Sequence, residues 1–244
     1  MKKYQFNLMT LVAVMFSLAL ISISGCSYAF NGVKGNGNVI KQERNVSDFT
    51  GIDVGGAFHI FLTQGSEVKV VVEADENLMD IIETEVHGNT LKISTSDDIR
   101  ESKEMNVYIT FKSLDEMDFS GACKVESTGK LTFDELDLEC SGASDVMLTF
   151  AAKELELDCS GASQVELLGS AREVNLDLSG ASKLDALELE VEEMDADVSG
   201  ASSGKVMVSS ELSVDVSGAS SFRYKGEPKI GDVDVSGAAS FKKY

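Results

Sequence analysis

Seven acidic side chains recur at one fixed offset. Asp118, Glu139, Asp158, Asp177, Asp197, Asp215 and Asp234 each stand two residues before a Ser-Gly-Ala triplet. Two residues further back stand Glu116, Asp137, Glu156, Asn175, Asp195, Ser213 and Asp232, five of them acidic. Carboxylates held in close rows repel one another. A Ca²⁺ ion relieves such repulsion because it takes several carboxylate oxygens. Glu139, Asp158, Asp177, Asp197, Asp215 and Asp234 are therefore candidate calcium ligands, and no other cofactor is expected. The competing reading is a solvated face that resists sheet-to-sheet stacking. The Gly-Gly-x-Gly-x-Asp calcium repeat does not occur.

Sulfur and imidazole offer less. Cys140 and Cys159 occupy the same inward position in adjacent repeats. Stacked strands would bring their Cα atoms to ~4.8 Å, within disulfide range. Side chains pointing in parallel make poor bridge geometry, so two buried thiols are the alternative. Cys123 lies at the position of Ser144 and Ser163 and has no clear partner. A zinc site is not expected, because no Cys-x-x-Cys occurs and His59 and His87 are remote from these cysteines in sequence. By parity His59 points outward, and His87 sits beside a Gly88-Asn89 turn. No phosphate-binding P-loop occurs. The repeated Ser recurs too often to be a nucleophile. Arg100, Arg172 and Arg223 sit in no lyase-like motif, and 41 acidic residues nominate no glycosidase pair.

Composition narrows the classes further. The 244 residues are 43% hydrophobic and 25% charged, enough apolar content for a real core. Acidic residues outnumber basic ones 41 to 21, a net charge of −20. That field disfavours nucleic acid and anionic membrane surfaces as partners. The single long apolar run lies at the N-terminus, which excludes a polytopic membrane protein.

That run is read as an address. Lys2 and Lys3 precede an apolar stretch from Phe6 to Ile23, which ends in Ile23-Ser24-Gly25-Cys26. The pattern resembles a bacterial lipoprotein signal. The resemblance implies cleavage after residue 25 and lipidation of Cys26. An ordinary signal peptide or membrane anchor with a chance Cys is the alternative. Cleavage removes two lysines, leaving 19 basic against 41 acidic residues and a charge of −22. Lipid chains, not protein charge, would then hold the chain on a bilayer. Residues 26–34 form a tether. No Asp follows Cys26, and no acidic cluster follows it either. The outer membrane, facing the periplasm, is the expected location.

The elements that carry these side chains follow from a repeat. Ser-Gly-Ala begins at Ser120, Ser141, Ser160, Ser179, Ser199, Ser217 and Ser236, at spacings of 21, 19, 19, 20, 18 and 19. Around each triplet apolar and polar residues alternate, as in Leu155-Glu156-Leu157-Asp158-Cys159 and Gln164-Val165-Glu166-Leu167. Period two means strand, one face buried. Each unit gives two strands joined by a tight bend, with Gly121, Gly142, Gly161, Gly180, Gly200, Gly218 and Gly237 as the bend residues. A unit this short cannot bury its own apolar face, but stacked units can. The fold class is all-β: a single-chain parallel β-solenoid with Ser-Gly-Ala-Ser coils of about 19 residues. An antiparallel barrel or sandwich is the runner-up. It explains the alternation but not the near-constant register.

Residues 35–110 are less regular. Ile52 to Leu62, Val68 to Val72 and Val107 to Phe111 read as strands. Glu76 to Ile82 reads as a short helical turn, and Gly88-Asn89 as a turn between two strands. These are irregular coils of the solenoid or a small β cap, in one domain with the regular coils of 111–244. Lys242 and Lys243 at the C-terminal edge either protect it or leave it to pair with another chain.

The order of elements carries a family likeness. Phe49-Thr50-Gly51-Ile52, Ala74-Asp75-Glu76-Asn77-Leu78, Gly88-Asn89-Thr90-Leu91-Lys92-Ile93, the Ser-Gly-Ala-Ser repeats and Tyr224-Lys225-Gly226-Glu227-Pro228 together resemble the bacterial family named putative auto-transporter adhesin, head GIN domain. The likeness spans roughly residues 35–241 and implies a β-solenoid-like fold without an established activity. The leading expectation is a non-catalytic, lipid-anchored envelope module for binding or adhesion, with a glycan or protein ligand. A periplasmic scaffold without a dedicated ligand is the alternative, and a carbohydrate-active β-helix enzyme the third.

Overall fold

A computed structural model describes residues 32–244; the expected signal peptide (1–25), Cys26 and tether residues 26–31 lie outside the described residues. The N-terminal part holds β1 (Val33–Lys34), β2 (Val39–Arg44), β3 (Gly51–Gly56), β4 (His59–Gln64), β5 (Lys69–Asp75), β6 (Ile82–His87), β7 (Thr90–Thr95), β8 (Ile99–Glu101) and β9 (Met105–Phe111). The repeats hold β10 (Glu116–Gly121), β11 (Lys124–Ser127), β12 (Leu131–Cys140), β13 (Asp145–Cys159), β14 (Gln164–Leu178), β15 (Lys183–Val198), β16 (Ser203–Val216), β17 (Ser221–Lys225), β18 (Lys229–Val235) and β19 (Ser240–Lys243). The expected helical turn is a single 3₁₀ turn, Glu76–Leu78.

The repeats stack as a parallel β-solenoid. Each coil has two straight segments and two bends, so the stack has two faces. Face A carries the segments before each Ser-Gly-Ala bend, and face B those after it. On face A, Leu138 pairs with Leu157, Leu157 with Leu176, Leu176 with Ala196 and Ala196 with Val214. On face B, Val146 pairs with Val165, Val165 with Leu184 and Leu184 with Gly204. The unequal coil lengths around Ser199 are absorbed as bulges, with register shifts after Glu166 and Ala186.

Inward residues build one core. Leu138, Leu157, Leu178, Val198 and Val216 are buried with their counterparts on face B. Each such side chain contributes about 1.5–3 kcal/mol through removal from water. Facing positions compensate for size. A Cβ at Gly204 would lie 2.6 Å from the Phe222 ring and 3.3 Å from Leu178. The gap left by glycine on one coil is therefore filled by phenylalanine from the next. Phe111 and Phe133 stack with ring centroids 6.5 Å apart, and Phe150 packs on Phe133 at 6.0 Å with its ring tilted by 59°.

The Ser-Gly-Ala-Ser bend is held by its glycines in every coil and by a serine hydrogen bond in two of them, Ser182, Ser202 and Ser220 being buried without a partner for Oγ among the described residues. The glycines adopt φ of +69° to +74° from Gly142 to Gly237, a region costly for residues with a Cβ. They also stack directly: a Cβ at Gly180 would lie 2.5 Å from the carbonyl oxygen of Gly161. The second Ser is buried. Ser144 Oγ donates to Ser141 O and Ser163 Oγ to Ser160 O, both at 3.0 Å. Cys123 takes that position in an earlier coil, with Sγ 3.3 Å from Ser120 O.

The N-terminal part departs from chain order. Strands β3 and β4 form a coil of the same solenoid, pairing parallel with β10 and β11. Their other edges pair parallel with β7 and β9, which come later in the chain. Beyond these, β6, β5 and β2 add antiparallel strands. The β6–β7 hairpin turns at the expected Gly88-Asn89.

Candidate functional site: the acidic face

Outward positions of face A carry the carboxylates. The strand register matches Asp53 to Asp118, Asp118 to Glu139, Glu139 to Asp158, Asp158 to Asp177, Asp177 to Asp197, Asp197 to Asp215 and Asp215 to Asp234. A second row runs through Glu116, Asp137, Glu156, Asn175, Asp195 and Ser213. The strand spacing sets neighbours in a row ~4.8 Å apart. All six candidate calcium ligands thus lie in one continuous row.

A third row was not read from the sequence. Glu135, Glu154, Glu173, Glu193 and Glu211 are paired coil to coil. The signal was present: each stands six residues before a Ser-Gly-Ala triplet. It falls at the second bend, where strict alternation lapses, so a period-two reading passes over it. This row has cations. Arg172 lies 3.1 Å from Glu154 and 3.4 Å from Glu173, and Lys229 lies 3.1 Å from Glu211.

The central row lacks such partners except at its start, where Lys92 reaches Asp53 at 3.2 Å. Its electrostatics follow. Burial, then neighbouring carboxylates, hold Asp118, Glu139 and Asp177 above the usual carboxylate range. Between the rows run shallow concavities. One of about 310 Å³ is lined by Asp195, Asp197, Ser213, Asp215, Asp232 and Asp234. Another of about 180 Å³ is lined by Glu156, Asn175, Asp177, Asp195 and Asp197. Among the described residues, no group of three or more His, Cys, Asp or Glu side chains converges to hold a metal ion. The rows present a field of negative charge rather than a closed coordination cage.

The remaining candidates are dispersed. Cys140 and Cys159 sit at paired positions, buried, and both are free thiols. The expected alternative of a bridge is not formed. Contact with Cys159 and burial push the Cys140 thiol well above its ordinary value. His59 lies half-buried on face B, 4.1 Å from the Phe61 ring and 3.3 Å from Glu126. His87 is exposed, 3.1 Å from Glu85. Gly200-Ala201-Ser202-Ser203-Gly204 spells the Gly-x-Ser-x-Gly pattern of hydrolases. Ser202 is nevertheless buried inside a solenoid bend between two strands, not exposed on a strand-to-helix elbow.

This architecture has solved relatives. A putative adhesin from Bacteroides fragilis superposes with a TM-score of 0.83 at 26% identity, covering 87% of this chain and 100% of that one. A putative lipid binding protein from Parabacteroides distasonis superposes with a TM-score of 0.73 at 21% identity, covering 87% and 99%. A putative adhesin from the same species gives 0.71 at 21% identity, with the same coverage. The likeness to the two Parabacteroides proteins is one of fold. No curated protein matches the chain. Residues 48–228 match the family described as putative auto-transporter adhesin, head GIN domain, and the chain belongs to that family.

Proposed function

We propose that the chain is a non-catalytic binding module of the cell envelope. It is held in the outer membrane by lipid on Cys26, faces the periplasm, and binds a cationic partner through face A. The observation that carries this reading is the three coil-to-coil rows of carboxylates. Rows of one sign focus a field and raise the local concentration of opposite charge. The partner best matched to a flat, repetitive acidic face is an extended basic segment of a protein. The adhesin names of the family and of its Bacteroides relative agree with a binding role.

The test is titration of the chain with an oligolysine peptide at several salt concentrations. Affinity should fall as salt rises and should drop in the Asp158→Asn, Asp177→Asn, Asp197→Asn triple variant. Absence of binding at low salt, or equal affinity in the triple variant, overturns the reading. Repeating the titration in EDTA and in excess Ca²⁺ asks whether the cation competes for the same carboxylates. Protease treatment of intact and lysed cells tests the placement. Protection until lysis is expected, and digestion in intact cells would move the module to the outer surface.

A further inference from the structure

The outward positions of face B change sign along the stack. One row runs Glu126, Met147, Glu166, Asp185, then Lys205, Arg223 and Lys242, each paired in register with the next. The three cations stand six residues after the Ser of their triplets, as Asp185 does. Beside them on the same coils run Ser203, Ser221 and Ser240, also in register, with Ser240 Oγ 3.4 Å from Ser221 Oγ. Lys225 adds a cation two residues beyond Arg223. The outward positions 203, 205, 207, 221, 223, 225, 240 and 242 hold no carboxylate. On the same coils face A carries Asp215 and Asp234.

The cations of this patch are also unmatched. Elsewhere in the repeats Arg172 lies against Glu154 and Glu173, Lys153 against Asp134 and Lys229 against Glu211. Here only Lys205 has a carboxylate, Asp185 of the preceding coil at 3.1 Å. Arg223, Lys225 and Lys242 are exposed and make no ion pair among the described residues. In a chain with 41 acidic residues against 21 basic ones, the fold has kept positive charge apart on one surface.

We propose that this patch binds an acidic glycan, a linear sugar chain bearing carboxylates, laid across β16, β17 and β19. The inference is independent of the reading for face A, which takes a basic partner. Strand spacing sets Lys205, Arg223 and Lys242 ~4.8 Å apart in a straight row. That row matches a linear polymer with repeated charges better than one compact anion. Arg223 stands at its centre with its guanidinium uncommitted, and a guanidinium takes a carboxylate through two parallel N–H donors. Lys205 and Lys242 supply point charges on either side. The serine row lines one flank with hydroxyls, which both donate to and accept from sugar hydroxyls. A lipid surface would favour cations spread over an area, without a flank of hydroxyls. All these side chains leave the flat of the sheet, so strand pairing at a coil edge would not cover them. The contacts are exposed, so binding is weak and sensitive to salt.

The experiment is calorimetric titration of residues 32–244 with hexagalacturonate. That segment holds every described strand and spans the whole of the crystallised Bacteroides relative. Maltohexaose, uncharged, is the control. Binding of the uronate at low salt, weaker as salt rises, is expected, with none of maltohexaose. Arg223→Gln with Lys242→Gln should lower the affinity about ten-fold at unchanged Tm, the loss of two exposed charge contacts. The Asp158→Asn, Asp177→Asn, Asp197→Asn variant should keep its uronate affinity, which separates this site from face A. Absence of uronate binding at low salt overturns the proposal. So does equal binding of maltohexaose, or an affinity unchanged in the Arg223, Lys242 variant. Binding of phosphatidylglycerol vesicles without binding of the uronate also overturns it, and would make the patch a lipid contact.

Discussion

In the N-terminal part, Asp75 is fully buried and accepts hydrogen bonds from the backbone N–H groups of Gly37 and Lys103, at 2.5 and 2.7 Å. In the repeats, exposed Asp177 stands between Asp158 and Asp197 in a row of like charge. The first carboxylate lies below its usual range, mainly because the Lys103 and Gly37 donors hold it ionised. The second lies above it, through partial desolvation of its carboxylate and then its neighbours Asp158 and Asp197. Glu73 belongs with Asp75: the Tyr108 hydroxyl donates to it at 2.6 Å and lowers it. One region assigns each polar group a particular partner. The other repeats one contact along a row, and its stability is a sum of coil-to-coil terms. A single defect should therefore act locally in the repeats, but on several loops at once in the N-terminal part.

Glycine substitutions break the comparison most sharply. Gly180→Ala places a Cβ 2.5 Å from Gly161 O at a φ of +69°. Strain and overpacking together should cost about 2–5 kcal/mol. Gly88→Ala has a similar φ of +64° but open space around it. It should cost only about 1–2 kcal/mol, the backbone term alone. Urea unfolding of both variants checks the difference, and equal losses would mean that stacking of the glycine column carries no weight. Asp75→Ala should come next. It leaves the Gly37 and Lys103 amides without their acceptor and should loosen residues 35–38 and 101–104, read as faster amide exchange there and a lower Tm.

The pH profile sharpens the contrast. A carboxylate whose folded pKa is raised takes up its proton earlier in the folded state than in the unfolded one. Asp118, Glu139 and Asp177 therefore add stability as pH falls from neutral through their raised values. Glu73 and Asp75 work the other way. Their contribution is present above the unfolded values, about 4, and is lost as pH falls through their lowered folded values. Tm should rise on mild acidification and then fall in stronger acid, and a steady decline from neutral pH would contradict the row electrostatics. The smallest effect belongs to Asp177→Asn. Relief of exposed, screened repulsion should raise stability by about 0.2–0.5 kcal/mol at neutral pH, and should add nothing in mild acid.

Much of the repeat half was legible in the sequence because its information is local. Alternation at Leu155, Leu157 and Cys159 fixed which side chains turn inward. The Ser-Gly-Ala spacing fixed the coil length and the row that holds Asp158, Asp177 and Asp197. The Glu135–Glu211 row escaped because it lies in a bend, where parity gives no guidance. In the N-terminal part, β3, β4, β5, the β6–β7 hairpin and β9 were readable as strands, but which strands they pair with was not.

Local periodicity therefore determined the strand class, the inward and outward faces, and the chemistry of the bend. Tertiary structure alone decided that β3 and β4 lie between β7 and β9 on one side and β10 and β11 on the other. It also decided that Asp75 is buried among backbone donors. The physical reason is the range of the contacts. A side chain's facing follows from its immediate neighbours along the strand. A strand's partner is chosen by hydrogen bonds and core closure between segments tens of residues apart, and no short pattern encodes that choice.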